Sequence, residues 1–115
     1  MREIGYIFLD DLDWINRRCY WGATLGKEEL TGKGFGREAV MLIIGYAFRN
    51  LNMHKVLANV LADNKALHTW LQNGAVIEGT LKDHVFNDGK YKDMNILAWF
   101  YIAEQVKHQH EVQGT

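Results

Sequence analysis

Residues 32–38 read Gly32-Lys33-Gly34-Phe35-Gly36-Arg37-Glu38. Glycines at alternate positions leave the backbone without Cβ obstruction, so successive N–H groups can turn toward one point and hold an anion. A helix beginning at this point adds its unpaired first-turn N–H groups and the positive end of its dipole, a construction that binds phosphate. Groups able to move protons are sparser. Tyr20 carries a hydroxyl, and Cys19 is a lone thiol in an apolar stretch, where cysteine reads as core. Histidines at 54, 68, 84, 108 and 110 form no His-Glu-x-x-His and meet no cysteine pair, so no metal site is expected; His54 is expected to close a helix.

The elements that must position the loop follow from periodicity. Residues 3–9 and 19–25 are rich in aromatic and β-branched side chains and read as an antiparallel strand pair, with Asp10-Asp11-Leu12-Asp13 as the solvated turn between them. From Phe35 the spacing becomes helical: Val40, Ile43, Ile44, Ala47, Phe48 and Leu51 share one face, and Asn52 is a stop. Residues 55–62 form a short, nearly continuous apolar run, which predicts a strand covered on both faces. Asp63 or Asn64 caps a short helix through Gln72, which Asn73-Gly74 ends. Residues 75–81 and 84–87 are extended, Asn87-Asp88-Gly89-Lys90 carries a tight hairpin signal, and 91–102 returns, with Tyr91 and Asp93 bracing the hairpin. Both helices lie between strands, which predicts an α/β (α+β) fold with a mixed central sheet. Phosphate loops of such sheets sit at the carboxyl end of a strand.

Bulk properties restrict the partners. With 115 residues, 13 basic and 14 acidic side chains and a net charge of −1, the chain has no basic stripe for nucleic acid. It has no apolar run of about 20 residues to span a membrane, and its opening Met-Arg-Glu-Ile-Gly-Tyr lacks a signal-peptide layout. One cysteine and no such signal make the cytoplasm the default compartment. Residues 1–103 are expected to form one domain and 104–115 a polar tail.

Two common glycine motifs fit poorly. A P-loop needs four residues between Gly and Gly-Lys-Ser/Thr, whereas five separate Gly26 from Gly32-Lys33 and Gly34 follows the lysine. A dinucleotide fingerprint read from Gly32 meets Arg37 where its third glycine belongs; read from Gly34 it meets Ala39.

A third reading covers far more of the chain. Gly34-Phe35-Gly36-Arg37-Glu38-Ala39 resembles the acetyl-CoA loop of the GNAT superfamily of N-acetyltransferases. The likeness is to the branch of ribosomal-protein and spermidine N-acetyltransferases. Asp13-Trp14-Ile15-Asn16-Arg17-Arg18 resembles the segment before that family's cofactor strand. Tyr46 to Val56 resembles its helix end and next strand, Asn64 to Gly74 its following helix, and Asp88 to Asp93 its closing hairpin. The resemblance spans about residues 3–100. It implies a GNAT-like βαβαββ core holding acetyl-CoA where strand 23–26 splays from strand 55–62. Backbone groups at Thr24 and Leu25 would pair with the pantetheine arm. Amides over Gly32, Lys33, Gly34, Phe35, Gly36 and Arg37 would hold the pyrophosphate, and Asn64 would touch the arm from the other side.

The family's opening strand, two helices and second strand have no counterpart, so the core is expected to be N-terminally truncated, with an open edge that favours a homodimer or other homo-oligomer. Acetyl transfer to an amine needs a base, an oxyanion donor and an acid for the leaving thiolate. The position matching the family's acidic tyrosine holds Trp70, whose indole is no acid near neutral pH, and Tyr20 stands where relatives often carry a glutamate base. The loop's usual Gln/Arg is replaced by Thr31, and the helix segment 64–74 is one residue short. The resemblance implies an acetyl-CoA-dependent transferase acting on a primary amine, a polyamine or protein N-terminus, without metal. The alternative is a catalytically impaired acyl-CoA-binding or interaction module.

Overall fold

The computed structural model of the protein describes residues 5–25 and 35–102. Gly32, Lys33, Gly34 and the tail 104–115 lie outside the described residues. The chain opens with β1 (Gly5–Asp13) and β2 (Arg18–Leu25), which pair antiparallel from Gly5↔Leu25 to Asp10↔Tyr20 and again at Asp13↔Arg18. The turn therefore lies at 14–17, not in the acidic cluster, which belongs to β1 and carries a bulge. Asp11 takes the left-handed conformation (φ 50°) that aspartate tolerates better than most residues. Asp13 then closes the turn, its carboxylate accepting from the backbone N–H groups of Asn16 at 2.9 Å and Ile15 at 3.1 Å. The bonds from Asn16, more than any other contact, hold the Asp13 carboxyl below its usual range.

After the loop come α1 (Phe35–Arg49), β3 (Lys55–Leu61), α2 (Leu67–Gln72), β4 (Val76–Asn87) and β5 (Lys90–Phe100). The five strands form one mixed sheet in the order β1-β2-β3-β5-β4, with β2 and β3 parallel and the other neighbours antiparallel. The registers Cys19↔Val56, Val56↔Trp99 and Ala58↔Leu97 place these side chains on one face. Val40, Ile44 and Ala47 of α1 and Trp70 of α2 join the same buried cluster, so both helices cover that face. Ile43, Phe48 and Leu51 pack against its margin, which completes the stripe read from the sequence. Cys19 is wholly enclosed, and burial pushes its thiol pKa up, so it serves as core. The opposite face is barer. Leu57 and Ala98 are covered there, but Asn59, Tyr6 and Val76 are exposed, so β3 is only partly closed over on its second side. Phe8 lies across Gly22, its cross-strand partner; a Cβ at Gly22 would fall 2.6 Å from the ring.

Two helix boundaries differ from the sequence reading. Helix α1 ends at Arg49, and the chain turns through Asn52 (φ 60°), whose carbonyl accepts from Arg17 Nε at 2.8 Å. His54 closes no helix; its N–H donates to Arg17 O at 2.7 Å and its carbonyl accepts from Tyr101 N at 2.8 Å, tying two strand ends together. Helix α2 begins at Leu67, three residues past Asn64. The Asn64 side chain accepts from Ala66 N at 2.7 Å and so stabilises a turn that competes with an earlier helical start. At its other end α2 stops at Asn73-Gly74 as read, with Gly74 at φ 99° and Trp99 Nε1 donating to Asn73 O at 3.0 Å. The hairpin also forms as read: Asp88 and Gly89 both have positive φ, as a type I′ turn requires. Asp93 braces it by accepting from Asp83 N at 2.9 Å and pairing with Lys82 at 3.2 Å.

Gly74→Ala forces a Cβ into the left-handed region beneath Trp99. It is expected to lower unfolding stability by about 1–2 kcal/mol. Urea denaturation checks this, and an unchanged midpoint would contradict the strained cap.

Candidate functional site

The parallel ladder between β2 and β3 is only three pairs long: Arg18↔Lys55, Cys19↔Val56 and Tyr20↔Leu57. Both strands continue. β2 stays paired with β1 as far as Leu25, and β3 with β5 as far as Leu61. Beyond Tyr20 and Leu57 they no longer pair with each other, which opens a wedge inside the sheet. Backbone groups of residues 21–25 and 58–61 that face this wedge have no strand partner among the described residues. Such groups are an unfilled template for an extended, amide-bearing ligand.

The wedge opens toward the carboxyl ends of the two parallel strands, where α/β sheets take ligands. Helix α1 carries the chain from the carboxyl end of β2 back to the amino end of β3, so its N-terminus lies at the open end. The unpaired first-turn N–H groups come from Phe35, Gly36, Arg37 and their neighbour. Asn64 follows β3 and is exposed at the same end, on the wedge's other side. Its Oδ1 is used in the local turn, which leaves Nδ2 as the group it offers a ligand. Thr24 and Leu25 end β2, Phe35, Gly36 and Arg37 begin α1, and Asn64 follows β3.

At the closed end, neighbouring β2 residues point to opposite faces. Tyr20 lies on the barer face, half-buried, and lines an open depression of about 590 Å³ with Asp11, Asp13, Trp14 and Arg18. Trp21 lies on the helix-covered face. It meets Trp70 edge-on at 5.3 Å between centroids, Trp99 lies 6.1 Å from both rings, and Trp70 is buried. Tyr20 and Trp70 therefore flank the wedge apex from opposite sides of the sheet and do not converge on one point. The three-tryptophan cluster was not foreseen, although strand parity alone sets Trp21 and Cys19 on the same face. A second depression, about 310 Å³ and lined by Arg17, Phe48, Arg49 and Tyr101, lies at the amino end of β2 and β3, beside the C-terminus of α1. Among the described residues no three His, Cys, Asp or Glu side chains converge as a metal site would require, and no helix is long and apolar enough to cross a membrane.

Residues 1–73 match the family described as "Acetyltransferase (GNAT) domain". The chain belongs to the GNAT acetyltransferase family. Spermidine N(1)-acetyltransferase of Vibrio cholerae is 34% identical over 92 residues, which cover 79% of this chain and 53% of that protein. The ribosomal protein uS5-alanine N-acetyltransferase of Escherichia coli is 34% identical over 81 residues, covering 70% of this chain and 41% of that one. Among solved structures, spermidine N-acetyltransferase from Vibrio cholerae in complex with CoA and spermine superposes with a TM-score of 0.77 at 32% identity, covering 84% of this chain and 57% of that one. The chain spans about half the length of the curated relatives it matches.

The family's co-substrate is acetyl-CoA, and the wedge has the chemistry to receive it. The amide-bearing arm would pair with the free strand edges as another strand would, and the pyrophosphate would meet the α1 first turn. Gly36→Asp sets a carboxylate in that first turn. A carboxylate favours the unloaded helix through its dipole but repels a phosphate. The expected result is unchanged or raised apo melting temperature with CoA affinity reduced at least about tenfold, read by calorimetry. Equal affinity would remove α1 from the binding site.

Proposed function

We propose that this chain is the acetyl-CoA-binding core of an N-acetyltransferase that acylates a primary amine, either a polyamine or a protein N-terminus. The parting of β2 from β3 after Tyr20↔Leu57, opposite the N-terminus of α1, carries this reading. Acetyl-CoA supplies an activated acyl group on a good thiolate leaving group. The protein's part is to hold the arm along the strand edges at Thr24 and Leu25 and the pyrophosphate along 32–37, with Asn64 closing the other side. Backbone N–H groups at the apex would hold a developing oxyanion. Tyr20 reaches the barer face, where Asp11 lines the depression beside Asp13, which is paired with Arg18 at 3.5 Å, so Asp11 is the carboxylate left for a cationic amine.

A second reading has its own observation. Trp70 stands where the family's acidic tyrosine is expected, and it is buried among Trp21 and Trp99. An indole N–H cannot protonate a thiolate, so the same wedge would bind acyl-CoA without efficient turnover. Trp70→Tyr separates the two readings. In a transferase limited by its missing acid, this variant is expected to raise thiol release from acetyl-CoA with spermidine by about tenfold or more and to add an alkaline limb to the pH profile. Calorimetry that shows no acetyl-CoA binding to folded protein would refute both. Acetyl-CoA binding with no thiol release across an amine panel, in either form, would leave the binding module.

Self-association is part of the proposal. β1 and β4 are the outer strands among the described residues, and Tyr6 on β1 and Val76 on β4 expose apolar surface on the barer face. Sedimentation is expected to show a species larger than a monomer that Tyr6→Lys dissociates. A monomer at high concentration would refute this.

A further inference from the structure

β3 is the middle strand of the sheet, and from Val56 to Leu61 it is apolar and covered at every position but one. The exception is Asn59, the one exposed residue of the strand. Asparagine is depleted from strands because its carboxamide competes for backbone hydrogen bonds. A polar residue that breaks the pattern of a central strand marks a position set by something other than packing.

Its place is as particular as its type. Asn59 shares the barer face with Leu57, the last β3 residue paired with β2, and stands two residues beyond it along the wedge. Tyr20, the partner of Leu57, lies on the same face. With about 3.3 Å per residue along a strand and about 4.8 Å between strands, the Cα atoms of Tyr20 and Asn59 are roughly 8 Å apart, so both side chains can touch one small molecule. Continued by two residues, the same register sets Gly22 level with Asn59. Gly22 has no side chain, and the Phe8 ring takes its place on that face. The wedge is therefore bordered on its barer side by a hydroxyl, an aromatic ring and a carboxamide.

A carboxamide offers one acceptor oxygen and two N–H donors. The oxygen suits an amine: it accepts from an ammonium and still accepts after one proton has left, so it can hold the nitrogen through the change that makes it a nucleophile. The acetyl-CoA arm would lie between the strand edges, in the plane of the sheet. A side chain standing off the barer face meets what approaches from that face. We infer that Asn59 Oδ1 binds the primary amine nitrogen of the acceptor beside the wedge apex. This rests on the transferase reading given above and adds an acceptor-binding residue to it.

Calorimetry on CoA-loaded protein tests this without turnover, with spermidine and a peptide that begins with alanine as separate probes. Asn59→Val removes the carboxamide and suits an extended strand, so the melting temperature is expected to be equal or higher, with CoA affinity within about twofold of wild type. The probe that binds wild type is expected to bind Asn59→Val about tenfold more weakly, as loss of a hydrogen bond from a charged donor implies. Asn59→Asp keeps the oxygen and adds charge, so it is expected to bind the same probe at least as tightly; this variant also serves if Asn59→Val does not fold. Binding of spermidine alone makes the site one for polyamines, and of the peptide alone one for a protein N-terminus. Equal amine affinity in wild type and Asn59→Val overturns the inference, as does weaker binding to Asn59→Asp. So does a folded, CoA-binding wild type that takes neither probe. In each of these cases the acetyl-CoA reading survives. If folded wild type binds no CoA, both fall.

Discussion

The structure depends on where two parallel strands stop pairing. Three residue pairs join β2 to β3, and the helices, the cluster of tryptophans and the free backbone edges are arranged around the point where that ladder ends. Each strand avoids collapse by having a full-length partner on its other side, β1 for β2 and β5 for β3. The sheet can therefore stay open in its middle without losing its frame. Helix α1 bridges the same two strands on the covered face, where Val40, Ile44 and Ala47 pack against Cys19 and Val56. That packing covers the stretch where the two strands still pair.

Tryptophan does at the closed end what hydrogen bonding does along the ladder. Trp21, Trp70 and Trp99 come from β2, α2 and β5, and their edge-to-face and tilted ring contacts join three elements at one place. The hydrogen bond from Trp99 to Asn73 extends this junction to the end of α2, where Gly74 turns the chain toward β4. On the other face Tyr20 looks outward over an acidic hairpin. The apex is thus packed and apolar on one side of the sheet, and on the other it is open and lined by Asp11 and the Asp13–Arg18 ion pair.

What could be read from the sequence was local. The helical stripe of α1, the type I′ turn at Asp88-Gly89 and the stop at Asn73-Gly74 each depend on residues within a few positions of one another, and each formed as read. The failures involve competition between side chain and backbone. Asp13 moved the first turn downstream by accepting from Ile15 and Asn16, and Asn64 delayed α2 by accepting from Ala66. The bulge at Asp11 turned an expected turn into strand. The wedge itself has no signature of its own in the residues. Arg18–Leu25 and Lys55–Leu61 look like ordinary strands, and their parting is a property of pairing across some 35 positions. Its location came from resemblance to a family and not from periodicity.

The open edge of β2 presents main-chain amides and carbonyls, which every residue except proline supplies in the same places. Recognition through such an edge makes no demand on the identity of the side chains that alternate above and below it. Those side chains are free to diverge in lineages that keep the binding mode, provided the strand stays extended and the chain avoids proline there, as this one does throughout. Substitutions on the barer face at positions such as Tyr20 would then alter what is brought to the apex without disturbing what is already held there. In the proposed transferase, main-chain recognition would separate the evolution of acceptor choice from that of the shared donor.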